Sequence, residues 1–369
     1  MRRDTPGLIR HYAKECGELK GYGQMARATI ADIAGRAGLS TATVDRALNG
    51  RKGVSAANRQ RVLRAARSLG YLPSEGMFAL PSRPARLGFL VPFGGNAFMQ
   101  EVTDAITRFA DAQPLVERCS IIALNGIGPD AFADGLDQVP SGTDGLGVIT
   151  TDHPRTREAL RRICESGMRV VTLASDVLAT PRADYIGVDN LVAGRTAAQI
   201  LGMLTRGQTG SVAIFCGSQS FAGHREREYG FRSCLQEFYP NLQALAAIET
   251  SEDGDRLNQE MRRLLRTQPD LLGVYCAGAG RKGLIQVLET TAPTARPHVV
   301  LHDLTEDTRQ WLVDGQVDAV IDQNARLIGE QAVLRLLGAI ASGSVQLPLQ
   351  HIEPRIILRE NIPAGQSMI

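Results

Sequence analysis

Between residues 29 and 70, apolar positions recur at helical spacing in three short blocks. In the first, Ile30, Ile33, Ala34 and Ala37 share one face, and Gly38-Leu39-Ser40 breaks the run. Glycine suits a left-handed helix end, and Ser40 suits an N-cap. The second block, Thr41 to Leu48, buries Val44, Ala47 and Leu48 and stops at Asn49-Gly50. The third begins after Ser55, another good cap, and runs through Val62, Leu63, Ala66 and Leu69 to Gly70. The pattern predicts an all-α head of three helices with a tight turn between the first two, the size of a minimal DNA-reading bundle.

Residues 71–85 change character: three prolines, a glycine and two serines mark a linker, with room for one helical turn around Glu75–Leu80. From Arg86 onward the pattern is strand, loop, helix, repeated. Strands are expected at Leu87–Val91, Ser120–Leu124, Gly145–Ile149, Val170–Leu173, Tyr185–Val188, Val212–Phe215, Leu271–Tyr275, Val299–Leu301 and Ala319–Ile321. Such alternation predicts doubly wound parallel sheets, whose ligands bind beyond the carboxyl ends of the strands. These are too many strands for one small sheet, so two lobes facing a cleft are expected. The chain therefore divides into an extension without ordered structure (1–26), the head (27–72), a hinge or linker (73–85) and a sensor (86–365). Within the sensor, lobe 1 takes about 86–188 and 324–348, and lobe 2 about 189–323 and 349–365. The extension holds few apolar residues to offset the entropy of ordering it. Met25-Ala26-Arg27 reads as a second possible start, and residues 1–24 are expected to lie outside the folded body.

Charge sharpens this division. The 369-residue chain carries a net +2, with 43% hydrophobic and 22% charged residues, the balance of a globular protein. From Arg27 to Gly70 there are nine basic and two acidic residues, a net of +7. Residues 1–26 hold +2, which leaves residues 71–369 at −7. A basic head on an acidic body suits a protein that sets one end on a polyanion. No apolar run approaches the roughly 18 residues that span a bilayer. The N-terminus lacks the apolar core of a secretory signal, so a cytoplasmic location is expected. The six cysteines are scattered, without a CxxC pair or a histidine at metal spacing, and read as reduced thiols. Neither a metal nor a cofactor is expected.

The segment Thr29-Ile30-Ala31-Asp32-Ile33-Ala34-Gly35-Arg36-Ala37-Gly38-Leu39-Ser40-Thr41-Ala42-Thr43-Val44-Asp45-Arg46-Ala47-Leu48-Asn49-Gly50 closely resembles the head of the LacI/GalR repressor family. Gly53-Val54-Ser55, Arg61-Val62-Leu63 and Leu69-Gly70-Tyr71-Leu72-Pro73 continue the match at the family spacing. Less tightly, residues 86–360 resemble a sensor of the ribose-binding-protein type, a periplasmic-binding-protein-like α/β domain. The resemblance implies that the second helix enters the major groove, led by Thr41 and Ala42, with Arg46 one turn further to grip a base edge. It places Thr43, Asn49, Ser55 and Asn58 at phosphates, with Thr29 and Ser40 completing the DNA-facing set. Asp45 departs from the small hydroxyl residue common at its position. The resemblance also makes the linker a hinge helix formed on double-stranded operator DNA, in which Leu80 wedges into the minor groove. Gly76 weakens that helix by about 1 kcal/mol relative to alanine.

In the sensor, the resemblance implies a cleft for a sugar, a polyol or a sugar acid, with ligand contacts from six residues. Asn96 and Phe98 lie in the loop after the first strand, and Asp176 follows the strand ending at Leu173. Arg225 is the first arginine of His224-Arg225-Glu226-Arg227-Glu228-Tyr229-Gly230-Phe231, while Asp303 and Gln323 follow later apolar strands. Where many relatives carry Asn-Asp, this chain has Ala277-Gly278, which predicts room for a larger or differently substituted ligand.

The expected function is a regulator, a homodimer or a higher assembly, that represses transcription under control of a small molecule. A solute-binding protein is the rival, disfavoured by the basic head and the missing signal. An enzyme is disfavoured because no P-loop, G-x-S-x-G, H-E-x-x-H or Cys-His arrangement occurs. Gly278-Ala279-Gly280 only faintly echoes a nucleotide loop.

Overall fold

The structure, a computed structural model, describes residues 29–48, 53–69, 81, 83–92, 96–278, 280–342 and 352–364. The N-terminal extension, Asn49, Leu80 and most of the linker lie outside these residues. The chain divides into two compact units, Met1–Glu75 and Gly76–Ile369.

The first unit holds α1 (Ile30–Ala37), α2 (Thr41–Leu48) and α3 (Ala56–Ser68). Helix α1 starts at a reciprocal cap: Thr29 Oγ1 accepts from Asp32 N (3.3 Å), and Asp32 Oδ2 accepts from Thr29 N (2.8 Å). It ends at Gly38, whose φ of +61° is the left-handed stop that glycine tolerates. Ile33, Ala34, Ala37, Val44, Ala47, Val62, Ala65 and Ala66 form the core. Alanines fill more than half of it, so three short helices can approach closely. Arg59 adds a tie, donating from Nη1 to Ala47 O (2.8 Å) at the end of α2.

In the second unit, lobe 1 is a five-stranded parallel sheet in the order β2-β1-β3-β4-β5. Its strands are β1 (Ala85–Pro92), β2 (Val116–Leu124), β3 (Gly145–Val148), β4 (Arg169–Leu173) and β5 (Asp184–Ile186). Helices α4 (Ala97–Asp111), α5 (Pro129–Asp137) and α6 (Pro154–Glu165) connect them. Lobe 2 opens with α7 (Asn190–Leu204), β6 (Gly210–Cys216), α8 (Ala222–Phe238), β7 (Leu242–Ala244) and β8 (Ile248–Glu249). It continues with α9 (Gly254–Thr267), β9 (Leu271–Cys276), α10 (Arg281–Glu289), β10 (His298–His302), α11 (Glu306–Val313) and β11 (Ala319–Asp322). The strand order is β12-β11-β10-β9-β6-β7, with β8 also paired to β6 and β12 (Arg355–Ile357) antiparallel to β11.

The long helix α12 (Ala325–Ser342) follows β11 in sequence but packs on α4, β3 and β4 of lobe 1. Gly329 permits this: a Cβ there would lie 2.7 Å from Ala105 Cβ and 2.9 Å from Val102 O. The chain thus passes between the lobes three times, after β5, after β11 and between α12 and β12, and the carboxyl ends of both sheets lie at one boundary. All nine expected strands are present. The three short ones, β7, β8 and β12, were not expected, because two or three residues carry no readable alternation.

Helices α7 and α8 meet as closely as α4 and α12 do. A Cβ on Gly194 would collide with Arg227 O, and one on Gly230 with Leu191 O. Gly194→Ala is therefore expected to destabilise the second unit by about 1–3 kcal/mol through overpacking. A thermal melt of the variant checks this, and an unchanged melting temperature contradicts the close approach.

Candidate functional site

In the first unit, Thr41, Ala42 and Arg46 form an exposed face of α2. Arg46 lies along its own helix, with Nε donating to Ala42 O (3.1 Å). Ser40 Oγ accepts from Thr43 N (3.2 Å) and lies 2.9 Å from Thr43 Oγ1. Ser55 Oγ accepts from Asn58 N (3.2 Å). The hydroxyls of Thr29, Ser40 and Ser55 therefore serve as helix caps in the free chain. Asn49 and Leu80 lie outside the described residues.

In the second unit, a cavity of about 370 Å³ opens between the lobes. From lobe 1, Asn96, Phe98 and Ser175 line it; from lobe 2, Phe221, His224, Arg227, Glu252, Asp303 and Gln323 do. Asn96 caps α4, its Oδ1 accepting from Phe98 N (3.0 Å), while its Nδ2 donates to Glu252 Oε2 (3.0 Å). Asp303 sits at φ +65° directly after β10. Its Oδ1 accepts from Gln323 Nε2 (2.7 Å), and its Oδ2 lies 3.3 Å from Arg281 Nη1. Gln323 is 2% exposed, and its Oε1 is buried with no partner among the described residues. A buried acceptor without a donor is rare in a folded protein, and the side chain that carries this one lines the cavity.

Two expected ligand residues stand elsewhere. Asp176 does not line the cavity, because its own loop satisfies it. Its Oδ1 accepts from Thr172 Oγ1 (2.7 Å), Val177 N (2.8 Å) and Arg182 Nε (2.6 Å), and Oδ2 pairs with Arg182 Nη2. The nearby wall is supplied instead by Ala174 and Ser175. Arg225 also turns away, donating to Gln219 O (2.6 Å) and Asp152 Oδ2 (2.8 Å). The cavity arginine is Arg227, 4% exposed, which donates from Nε to Asn190 Oδ1 and from Nη1 to Ala277 O, both at 2.8 Å. Helical geometry explains the difference: Arg227 shares the buried stripe of α8 with Phe231 and Cys234, and Arg225 lies off it. That spacing is visible in the sequence and was the signal available.

Ala277-Gly278 does not create room. A Cβ on Gly278 would lie 2.6 Å from Gly217 N and 3.3 Å from Glu252 Oε1, so backbone and a carboxylate already occupy that space. Glu252 was not foreseen. It follows Ser251 in a turn where both have left-handed φ, +54° for Ser251 and +65° for Glu252.

Burial and neighbours set the charge states. Burial, helped by the nearby Arg227 charge, pushes the His224 imidazole down to about 3, so it stays neutral. Asp152 has a fully buried side chain. Burial opposes its ionisation, but the hydrogen bonds and charges of Arg157 and Arg225 prevail and hold it below its usual range. Arg157 comes from its own lobe and Arg225 from the other. Asp152 N also donates to Ser220 O (2.9 Å), Gly223 N to Ser175 Oγ (3.2 Å) and Asn96 Nδ2 to Glu252 Oε2 (3.0 Å), so polar ties from several elements join the lobes. Glu101, on α4, is pushed up to about 7, first by burial and then by the charges of Asp303 and Asp322.

Among the described residues, no helix is long and apolar enough to cross a membrane. Residues 87–344 match a family model described as periplasmic binding protein domain, and residues 29–74 one described as bacterial regulatory proteins, lacI family. The chain is similar to the HTH-type transcriptional regulator GntR of Pseudomonas aeruginosa, 31% identical over 255 residues that cover 68% of this chain and 71% of that one. It is also similar to the HTH-type transcriptional repressor PurR of Vibrio vulnificus, 26% identical over 255 residues, 68% and 73% of the two chains. Among solved structures, GanP, a glucose-galactose binding protein from Geobacillus stearothermophilus, shares the fold. Its TM-score is 0.69 at 20% identity, covering 76% of this chain and 100% of that one.

The Glu101 shift carries a pH prediction. An unfolded glutamate releases its proton near the ordinary value of 4.5, whereas folded Glu101 keeps it to about 7. Over that interval the folded state binds more protons, so this group lowers stability as pH rises from 4.5 to 7. Glu101→Gln is expected to raise the melting temperature at pH 8 and to leave it nearly unchanged at pH 4.5. Equal melting shifts at both pH values contradict the assignment.

Proposed function

The chain belongs to the lacI family of bacterial regulatory proteins, and on that premise we propose that it is a cytoplasmic homodimeric repressor controlled by a small polyhydroxy effector held between the lobes. The observation that carries the effector reading is the orphaned Gln323 Oε1, buried in the cavity wall beside Asp303 and within the same enclosure as Arg227. A hydroxyl group donates to such an acceptor and can accept from an arginine in the same contact. Phe98 and Phe221 add apolar surface for the carbon skeleton. The structural neighbour GanP, a glucose-galactose binding protein, supports this class of ligand.

In the head, the exposed Thr41, Ala42 and Arg46 suit a helix read into the major groove, with Arg46 as the base-reading side chain. A dimer matches two heads to a near-palindromic operator. Lobe closure on the effector would then shift the dimer face near the linkers and so the spacing of the heads. Coupling of this kind is reciprocal: operator DNA must change effector affinity by the same factor that effector changes operator affinity.

A thermal-shift screen of sugars, polyols and sugar acids identifies the effector through its preference for the folded state. Against that compound, Gln323→Ala and Asp303→Ala are each expected to lose about 1–3 kcal/mol of binding energy by calorimetry. Unchanged affinity in folded variants removes the cavity from the mechanism.

For DNA, Arg46→Ala is expected to relax base preference at one position per half-site, about 1–3 kcal/mol of discrimination. Fluorescence anisotropy on operator and scrambled duplexes measures it. A variant that keeps the parental ratio of the two affinities shows that Arg46 reads no base.

A further inference from the structure

We propose that His224 contacts the effector through Nε2, either as hydrogen-bond acceptor or as donor. The cavity then admits a hydroxyl or a purely accepting group at that point. This rests on the reading of the interlobe cavity as an effector site.

The ring is held from three sides. His224 stands in the first turn of α8, whose N-cap residue, Phe221, offers no side-chain cap. Its Nδ1 lies 2.9 Å from Ser218 O and 3.2 Å from Ser218 N. Ser218 is fixed in turn, its Oγ accepting from Ser220 N (3.1 Å). Phe221 meets the imidazole edge-on, with ring centroids 5.4 Å apart and planes at 68°. Gly217 leaves room for it: a Cβ there would lie 3.1 Å from His224 Cε1. Among the described residues, the other ring nitrogen, Nε2, has no hydrogen-bond partner, and the side chain lines the cavity.

The telling feature is what Nδ1 faces, because one residue offers it both a carbonyl and an N–H. The imidazole is neutral, held so by burial and by the Arg227 charge, so one nitrogen carries a proton and the other a lone pair. With the proton on Nδ1, that atom donates to Ser218 O, and Nε2 accepts from the ligand. With the proton on Nε2, Nδ1 accepts from Ser218 N, and Nε2 donates to the ligand. Neither arrangement leaves Nδ1 without a partner, so the ring changes polarity and keeps its anchor. The neighbouring contacts lack this freedom. Gln323 Oε1 only accepts, and the Arg227 guanidinium only donates. A ligand group facing Gln323 Oε1 must therefore carry a proton to give, whereas one facing His224 need only be polar.

The test takes the tightest binder from a panel of hexoses, pentoses and their alditols, with its analogues singly deoxygenated or singly fluorinated at each carbon. A carbon-bound fluorine accepts weakly and never donates, and a deoxy position does neither. Calorimetry on the full chain compares wild type, His224→Phe and Gln323→Ala. The position facing His224 is the one whose deoxy penalty disappears in His224→Phe. The position facing Gln323 is the one whose penalty disappears in Gln323→Ala. At the His224 position, wild type is expected to lose on the order of tenfold with the deoxy analogue and about threefold or less with the fluoro analogue. At the Gln323 position, both analogues are expected to lose alike. His224→Leu replaces His224→Phe if the aromatic variant does not fold. Equal deoxy and fluoro losses at the His224 position overturn the two-way contact. Deoxy penalties that His224→Phe leaves intact at every position overturn the contact altogether. If no member of the panel binds wild type, the effector reading itself falls and this proposal with it. A binder that responds to Gln323→Ala but not to His224→Phe keeps the effector reading and removes only the role of His224.

Discussion

Burying a guanidinium is tolerable only where its donors are matched, and Arg227 meets that condition with acceptors from two different elements. Asn190, at the first turn of α7, accepts from Nε, and Ala277, just past β9, accepts from Nη1. The arginine therefore locks α8 to α7 and to the end of the central strand of lobe 2. The close contact of Gly194 with the carbonyl of Arg227 serves the same lock, since a bulkier residue would lift α8 away. Both bonds go to neutral groups, so the positive charge is left for the cavity. Asp303 and Gln323, just past β10 and β11, line the same cavity.

Lobe 1 meets this wall through polar ties that need no ligand. The strongest uses Asp152, whose buried carboxylate takes both Arg157 Nε (2.6 Å) and Arg225 Nη2 (2.8 Å). An arginine that reads from sequence as a ligand contact thus acts between the lobes. The distinction matters for mechanism. A residue that touches effector changes intrinsic affinity, whereas one that bridges lobes changes the fraction of molecules already closed, and apparent affinity scales with that fraction. The Asn96–Glu252 bond does both under the reading proposed here, because it spans the cleft and faces its interior.

The legible parts of the chain were those in which one residue type has one physical meaning. Three amphipathic blocks, Gly38 and the caps at Ser40 and Ser55 defined the head, and runs such as Leu87–Val91 defined the strands. Asn96, Phe98, Asp303 and Gln323 could be placed because each follows an apolar strand, and the doubly wound fold puts such loops at the lobe boundary. Asp176 also follows a strand, but Arg182, six residues on, claims it locally, and no pattern along the chain announces that pairing. Arg225 and Arg227 differ only in helical phase. Glu252 was illegible for a different reason: its direction depends on left-handed φ at Ser251 and Glu252, and neither residue type signals such a turn. The visible traces were the glycines at 217 and 278, which nothing along the chain joins.

The head shows how much of its surface is already committed before DNA arrives. Thr29, Ser40 and Ser55 satisfy backbone N–H groups that would otherwise be orphaned at helix starts, so their hydroxyls are partly spent. Thr41 and Ala42 are small and offer few contacts. Under the proposed mode of binding, sequence information must then pass mainly through Arg46, which first gives up its bond to Ala42 O. That bond is exposed, so water replaces it readily, and its loss costs about 0.5–1.5 kcal/mol at most. A bidentate contact to a base edge returns more than this, and a phosphate contact from the same arginine returns no sequence information. Under that mode, the release of Arg46 from its own helix is more than offset on a matching base.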